Sequence, residues 1–106
     1  MGWIRRRGSK YNAVKTVIGG ITFASKREGS RYWELTLMQK AGKISRLSLQ
    51  PVFVFPCGIK YRADFQYEED GKIIAEDVKG FKTAAFSLKA RMFKHHFPGI
   101  TFRITK

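Results

Sequence analysis

Acidic residues are scarce in this chain. Eight Asp and Glu stand against 21 Lys and Arg, a formal net charge of +13 over 106 residues. That balance argues against basic partners and points to a polyanion, with nucleic acid the first candidate. Cysteine occurs once, as Cys57, which excludes an internal disulfide and fits a reducing, cytoplasmic setting. Its Pro56-Cys57-Gly58 context is turn-like, so the thiol reads as structural or incidental. No apolar run approaches the roughly 20 residues that span a bilayer, so no membrane partner is expected. The N-terminus lacks a secretory apolar region, and Met1-Gly2 lacks the Ser or Thr that myristoylation needs. No internal repeat and no interdomain linker is visible.

What is present suffices for one folded domain. The hydrophobic fraction is 43%, with nine Phe, four Tyr and two Trp. Residues 1–16 read as a basic arm, carrying Arg5, Arg6, Arg7, Lys10 and Lys15 beside Trp3 and Tyr11. Residues 17–106 read as the domain proper. Gly19-Gly20 within Ile18–Phe23 suggests a short hairpin. Ser25 begins a helix to about Lys40, with Ser25 and Glu28 at capping-box spacing and Gly42 a natural C-cap. Ile44–Phe55 is rich in strand formers, with Pro51 marking a bend or edge position. Thr83 can cap a second helix over Ala84–Phe97, whose apolar stripe is Phe86, Ala90, Phe93 and Phe97. Ile100, Phe102 and Ile104 form one side of a last strand.

Tyr61–Gly80 carries the chemistry. Tyr61, Ala63, Phe65 and Tyr67 alternate with Arg62, Asp64 and Gln66, a strand pattern. Asp70-Gly71 suits a two-residue hairpin turn, because both positions tolerate positive φ. Glu69 then faces Lys72, and Asp64 lies opposite Asp77, with Cβ atoms roughly 4.5–5.5 Å apart. Lys79 shares the face of Asp77, and Glu76 takes the opposite one. Tyr61 and Tyr67 should lie away from the two aspartates, as core residues. Paired carboxylates repel unless a cation joins them, and hard oxygen donors suit Mg²⁺ or Mn²⁺. The rival account is a solvated set of cross-strand pairs with Arg62 and Lys79. Overall the order is helix, three strands, helix, strand: an α/β fold with a mixed sheet flanked by helices.

Asp64, twelve intervening residues, then Asp77-Val78-Lys79 resembles the PD-(D/E)XK nuclease signature. The α-β-β-β-α-β order is that superfamily's restriction-endonuclease-like core. KYNA, GGITFASKREGSRYWEL, LQP, ADFQY and EDVKG further resemble a small phage family of the superfamily, similar to Holliday-junction resolvases. The similarity spans about Lys10 to Phe97. Two departures are Asp77 where Glu is commoner and Ala63 where Pro often precedes the first Asp.

The resemblance implies a Mg²⁺-dependent DNA endonuclease, with Mn²⁺ able to substitute. Asp64, Asp77, the Val78 carbonyl and Glu28 would hold the ion, and Lys79 would orient water and stabilise charge on the phosphate. Glu28 also has its capping role, and Gln50 is open between a phosphate contact and an edge position. Lys82, Lys89, Arg91 and Lys94 would join the arm in binding DNA, with a solvated helix face the rival account. His95-His96 has no metal-ligand spacing. A resolvase cuts two symmetric strands, so a homodimer acting on branched DNA in the bacterial host cytoplasm is expected. The alternatives are a nicking or replication-linked endonuclease, and a nucleic-acid-binding module without catalysis.

Overall fold

The computed structural model describes residues 15–80 and 82–106. Arg5, Arg6, Arg7 and Lys10 of the basic arm lie outside the described residues. Ten elements follow in order: β1 (Thr16–Ile18), β2 (Ile21–Phe23), α1 (Lys26–Lys40), β3 (Ser45–Leu49), β4 (Val52–Val54), β5 (Lys60–Arg62), β6 (Phe65–Glu69), β7 (Lys72–Val78), α2 (Ala84–His96) and β8 (Ile100–Thr105). The chain divides into two compact units, Met1–Glu34 and Leu35–Lys106, and the boundary falls within α1.

In the first unit, β1 and β2 pair as an antiparallel hairpin closed by Gly19 and Gly20. Both glycines have positive φ, 59° and 82°, as a tight two-residue turn demands. Gly29 lets α1 approach this hairpin. A Cβ there would stand 3.1 Å from Thr16 Cγ2 and 3.2 Å from Ile18 Cδ1. Ser25 caps the helix by accepting from the Glu28 N–H at 3.2 Å.

In the second unit, α1 ends in a Schellman motif. The Lys43 N–H donates to the Met38 carbonyl at 2.9 Å and Gly42 N–H to the Gln39 carbonyl at 3.0 Å, with Gly42 at φ 79°. A four-stranded mixed sheet has the order β3-β6-β7-β8. The β3–β6 and β6–β7 pairs are antiparallel, and β7–β8 is parallel across the α2 crossover. Strands β4 and β5 form a separate two-stranded ribbon.

Two expected strands are each divided. Ile44–Phe55 breaks at Gln50-Pro51 into β3 and β4, and Tyr61–Tyr67 breaks at Ala63-Asp64 into β5 and β6. Both segments leave the main sheet at the same level. Gln50 N–H donates to the Asp64 carbonyl at 2.9 Å, and Ala63 N–H to the Pro51 carbonyl at 3.1 Å. The pair therefore bends as one. Pro51 lacks the N–H that a straight ladder would use, and Gln50 takes φ 50° to make the corner.

Helix α2 covers one face of the sheet. Thr83 Oγ1 accepts from the Phe86 N–H at 3.0 Å and starts it. Its stripe of Phe86, Ala90 and Phe93 is buried against Phe53, Phe55, Tyr61, Ala63 and Ala75. Phe97, Ile100, Phe102 and Ile104 pack around this cluster, so the alternation expected of the last strand holds. Phe93 anchors it, meeting Phe53 edge-on at 4.8 Å and Phe102 at 5.2 Å between ring centres.

Candidate functional site

The β6–β7 hairpin sets the register of the site. Glu69 pairs with Lys72 across Asp70-Gly71, whose φ values are 52° and 77°. Counting back, Phe65 pairs with Glu76, which brings Asp64 level with Asp77. The ladder is irregular at that last step. Asp64 N–H donates to the Glu76 carbonyl at 3.1 Å, and its own Oδ2 accepts from the Val78 N–H at 2.8 Å. Asp64 thus stands just outside β6 and folds its carboxylate over the end of β7. The local backbone, rather than a flat cross-strand pairing, delivers it to the neighbourhood of Asp77.

Asp77 is 2% exposed, and its Oδ2 has no hydrogen-bond partner. Burial pushes its carboxyl up to about 6, against the pull of the Lys79 ammonium and of the Asp64 backbone N–H. A deeply buried, half-satisfied carboxylate is costly for folding. Lys79 follows directly after β7. Its N–H donates to the Thr105 carbonyl at 2.8 Å, and its Nζ lies 4.9 Å from the centre of the Phe86 ring. The aromatic face and the parallel neighbour strand together fix where this ammonium sits.

The opposite face of β7 carries a second polar group that sequence reasoning set aside. Glu76 is fully buried, as Asp77's neighbour on the other side of the strand. The Tyr67 hydroxyl donates to Glu76 Oε1. Arg103 donates both to the Tyr67 hydroxyl and to Glu69 Oε1, each at 2.9 Å. Burial first, then the Glu76 carboxylate, pushes the Tyr67 phenol up to about 12, so it stays a donor. Tyr67 does lie away from Asp77, as expected, but beside a carboxylate of its own. Tyr61 does not. It joins the α2 cluster with Ala75, which shares Asp77's face of β7, because the chain bends between β5 and β6.

The remaining candidates are placed as follows. Gln50 is exposed, and its backbone is bonded to Asp64. Val78 is half-buried and supplies the N–H that Asp64 accepts. Glu28, in the first unit, is 8% exposed, and its Oε1 accepts from the Ala24 N–H at 3.3 Å. With the Ser25 bond this is a capping arrangement displaced by one residue. Lys15, Lys82, Arg91 and Lys94 are exposed. Lys89 is half-buried and lines a cleft of about 520 Å³ that also holds Lys79. His95 and His96 meet edge-on with ring centres 4.9 Å apart, and His96 lies tilted against Phe55 at 5.7 Å.

A family model described as "Protein of unknown function (DUF1064)" matches residues 8–106. The chain belongs to the DUF1064 family. No curated protein matches it. The DUF1064 match runs through the whole Asp64–Lys79 hairpin, α2 and β8. Among the described residues, no three His, Cys, Asp or Glu side chains gather closely enough to cage a metal by themselves. No helix among them is long and apolar enough to cross a membrane.

The donor set still fits one kind of ion. Mg²⁺ keeps several waters and is held by one or two carboxylates together with substrate phosphate, not by an all-protein cage. Asp77 offers an unpartnered buried oxygen and Asp64 a second carboxylate, both hard donors.

Proposed function

We propose that this DUF1064 chain is a metal-dependent DNA endonuclease of the PD-(D/E)XK type, built on a restriction-endonuclease-like core and acting on branched DNA. The observation that carries the reading is Asp77, a buried carboxylate with one oxygen unpartnered, with Lys79 two residues on. Structural ion pairs rarely leave such an atom unsatisfied. The mixed sheet with its α2 crossover, and the net charge of +13, support the same reading.

Asp64, Asp77 and the Val78 carbonyl would hold Mg²⁺ or Mn²⁺. When bound, the cation supplies Lewis acidity toward the phosphodiester and toward water. The chain's own residues do the rest. The Val78 N–H holds the Asp64 carboxylate in place. The Phe86 ring and the Thr105 carbonyl hold Lys79, whose ammonium stabilises the negative charge that grows on the phosphate oxygens. At the corner the Gln50 backbone N–H donates to the Asp64 carbonyl, and its exposed side chain would contact the phosphate or a metal-bound water. A resolvase role implies a C2 dimer, so that two sites face two strands.

Incubating a labelled four-way junction beside linear duplex and single strands, with Mg²⁺ and with EDTA, tests both levels. Junction cleavage that needs Mg²⁺ supports the resolvase reading, and preferential nicking of duplex would favour the replication-linked one. Binding without cleavage of any DNA would leave only a binding module. Lys79→Ala should lose most turnover yet keep its Mn²⁺ affinity by calorimetry. A large loss of affinity would make Lys79 a structural partner of the aspartates.

A further inference from the structure

The cleft beside Lys79 has a composition that the hydrolytic chemistry does not require. One wall is the β4–β5 ribbon, which contributes Lys60 and Arg62. The other is the start of α2, which contributes Phe86 and Lys89, with Lys79 between them. Four cations therefore line one open cleft of about 520 Å³, and no acidic side chain does. Clustered cations repel one another, and a polyanion bound among them relieves that repulsion.

The ribbon also presents its charges at a useful interval. Lys60 and Arg62 alternate with Tyr61 on β5, so both fall on the exposed side while Tyr61 is buried at 5% exposure. Their Cα atoms are about 6.6 Å apart along an extended strand. That is of the same order as the spacing of neighbouring phosphates on one DNA strand.

We propose that this cleft seats the phosphodiester backbone of the DNA strand leading to the scissile phosphate, with Lys60 and Arg62 as its outer contacts and Lys89 as its inner one. The inference rests on the nuclease reading for its direction toward Lys79. It does not rest on it for the binding of phosphates.

The test separates the two. Lys60→Gln/Arg62→Gln is compared with Lys40→Gln/Lys43→Gln, an exposed pair at the C-terminal end of α1 outside the cleft that removes the same charge. Binding of a labelled 30-mer duplex is followed by anisotropy in EDTA across a salt series, with circular dichroism confirming the fold of each variant. Each phosphate contact is worth about 0.9 in the slope of log K against log salt. The cleft pair should lose roughly 1.8 of slope and about tenfold or more in affinity near 0.1 M salt. The α1 pair should lose less than half as much. Equal losses in both pairs, or none in the cleft pair, overturn the proposal. Displacement of the duplex by a mononucleotide or by inorganic phosphate at matched phosphate concentration also overturns it, since the cleft would then be a small-anion pocket. Because EDTA suppresses cleavage, a chain that binds through the cleft but cuts nothing when Mg²⁺ is restored would remove the nuclease reading and leave this one standing.

Discussion

Asp77 shows how one buried side chain ties stability to pH. Its carboxyl titrates near 6 in the folded chain, against an ordinary 3.8. Below about 3.8 it is neutral in both folded and unfolded states and costs nothing. As pH rises through about 6, the folded state must carry a buried charge and stability is lost. Asp77→Asn removes that loss. In EDTA, urea unfolding should find the variant more stable than the wild type at pH 8, by up to about 3 kcal/mol, with the gap closing toward pH 4. A gap independent of pH would contradict the burial account. The residue types of this site were legible in the sequence, since Asp64, Asp77 and Lys79 stand out in a chain so poor in acid. Glu76 was legible only as a residue facing the other way. Its partner Arg103 is 27 positions on, and only the parallel register of β7 with β8 brings the two level. Tyr67→Phe removes the hydroxyl that Glu76 and Arg103 share. It should cost about 1–3 kcal/mol in thermal or urea unfolding without touching the Asp77 face. A neutral result would mean that the hydroxyl bonds contribute nothing net.

At the scale of elements, local signals succeeded where one residue type enforces one geometry. Gly19-Gly20, Asp70-Gly71, Gly42 and Thr83 each mark the turn or cap expected of them. Gly71→Ala forces a side chain into φ 77° and should destabilise the hairpin by about 1 kcal/mol or more. Thr83→Ala should cost about 1 kcal/mol through the lost α2 cap. Because the Gly71 turn fixes the register of Asp64 against Asp77, its variant should also weaken Mn²⁺ binding, whereas the cap variant should not. Calorimetry on both distinguishes register from general stability, and equal losses would undo the link. Period-2 alternation failed to reveal the breaks at Gln50-Pro51 and Ala63-Asp64. Alternation reports which side a residue faces within its strand. It is blind to a bend at which the strand changes sheets, so Tyr61 and Tyr67 looked equivalent and were not. Pro51 was the visible warning, and its consequence for the partner segment was invisible without the bond from Ala63.

At the scale of the molecule, the proposed catalysis asks for opposite charges at once. A net charge of +13 would draw phosphates in, while the carboxylates of the proposed site would repel them. The fold keeps Asp77 buried and places Lys60, Arg62, Lys79 and Lys89 around an open cleft. Composition pointed to a polyanion as the partner. It could not say where the cations gather, because Lys60 and Arg62 reach the cleft only through the β4–β5 ribbon that the sequence did not reveal. The most direct test of the central claim is a paired measurement of cleavage and binding on a labelled four-way junction, using wild type, Asp64→Asn and Asp77→Asn with Mg²⁺. The wild type should cut, and both variants should be slower by at least roughly 100-fold while binding the junction as tightly or more so. Cleavage by both variants at the wild-type rate would contradict the account, and the active site would have to lie elsewhere.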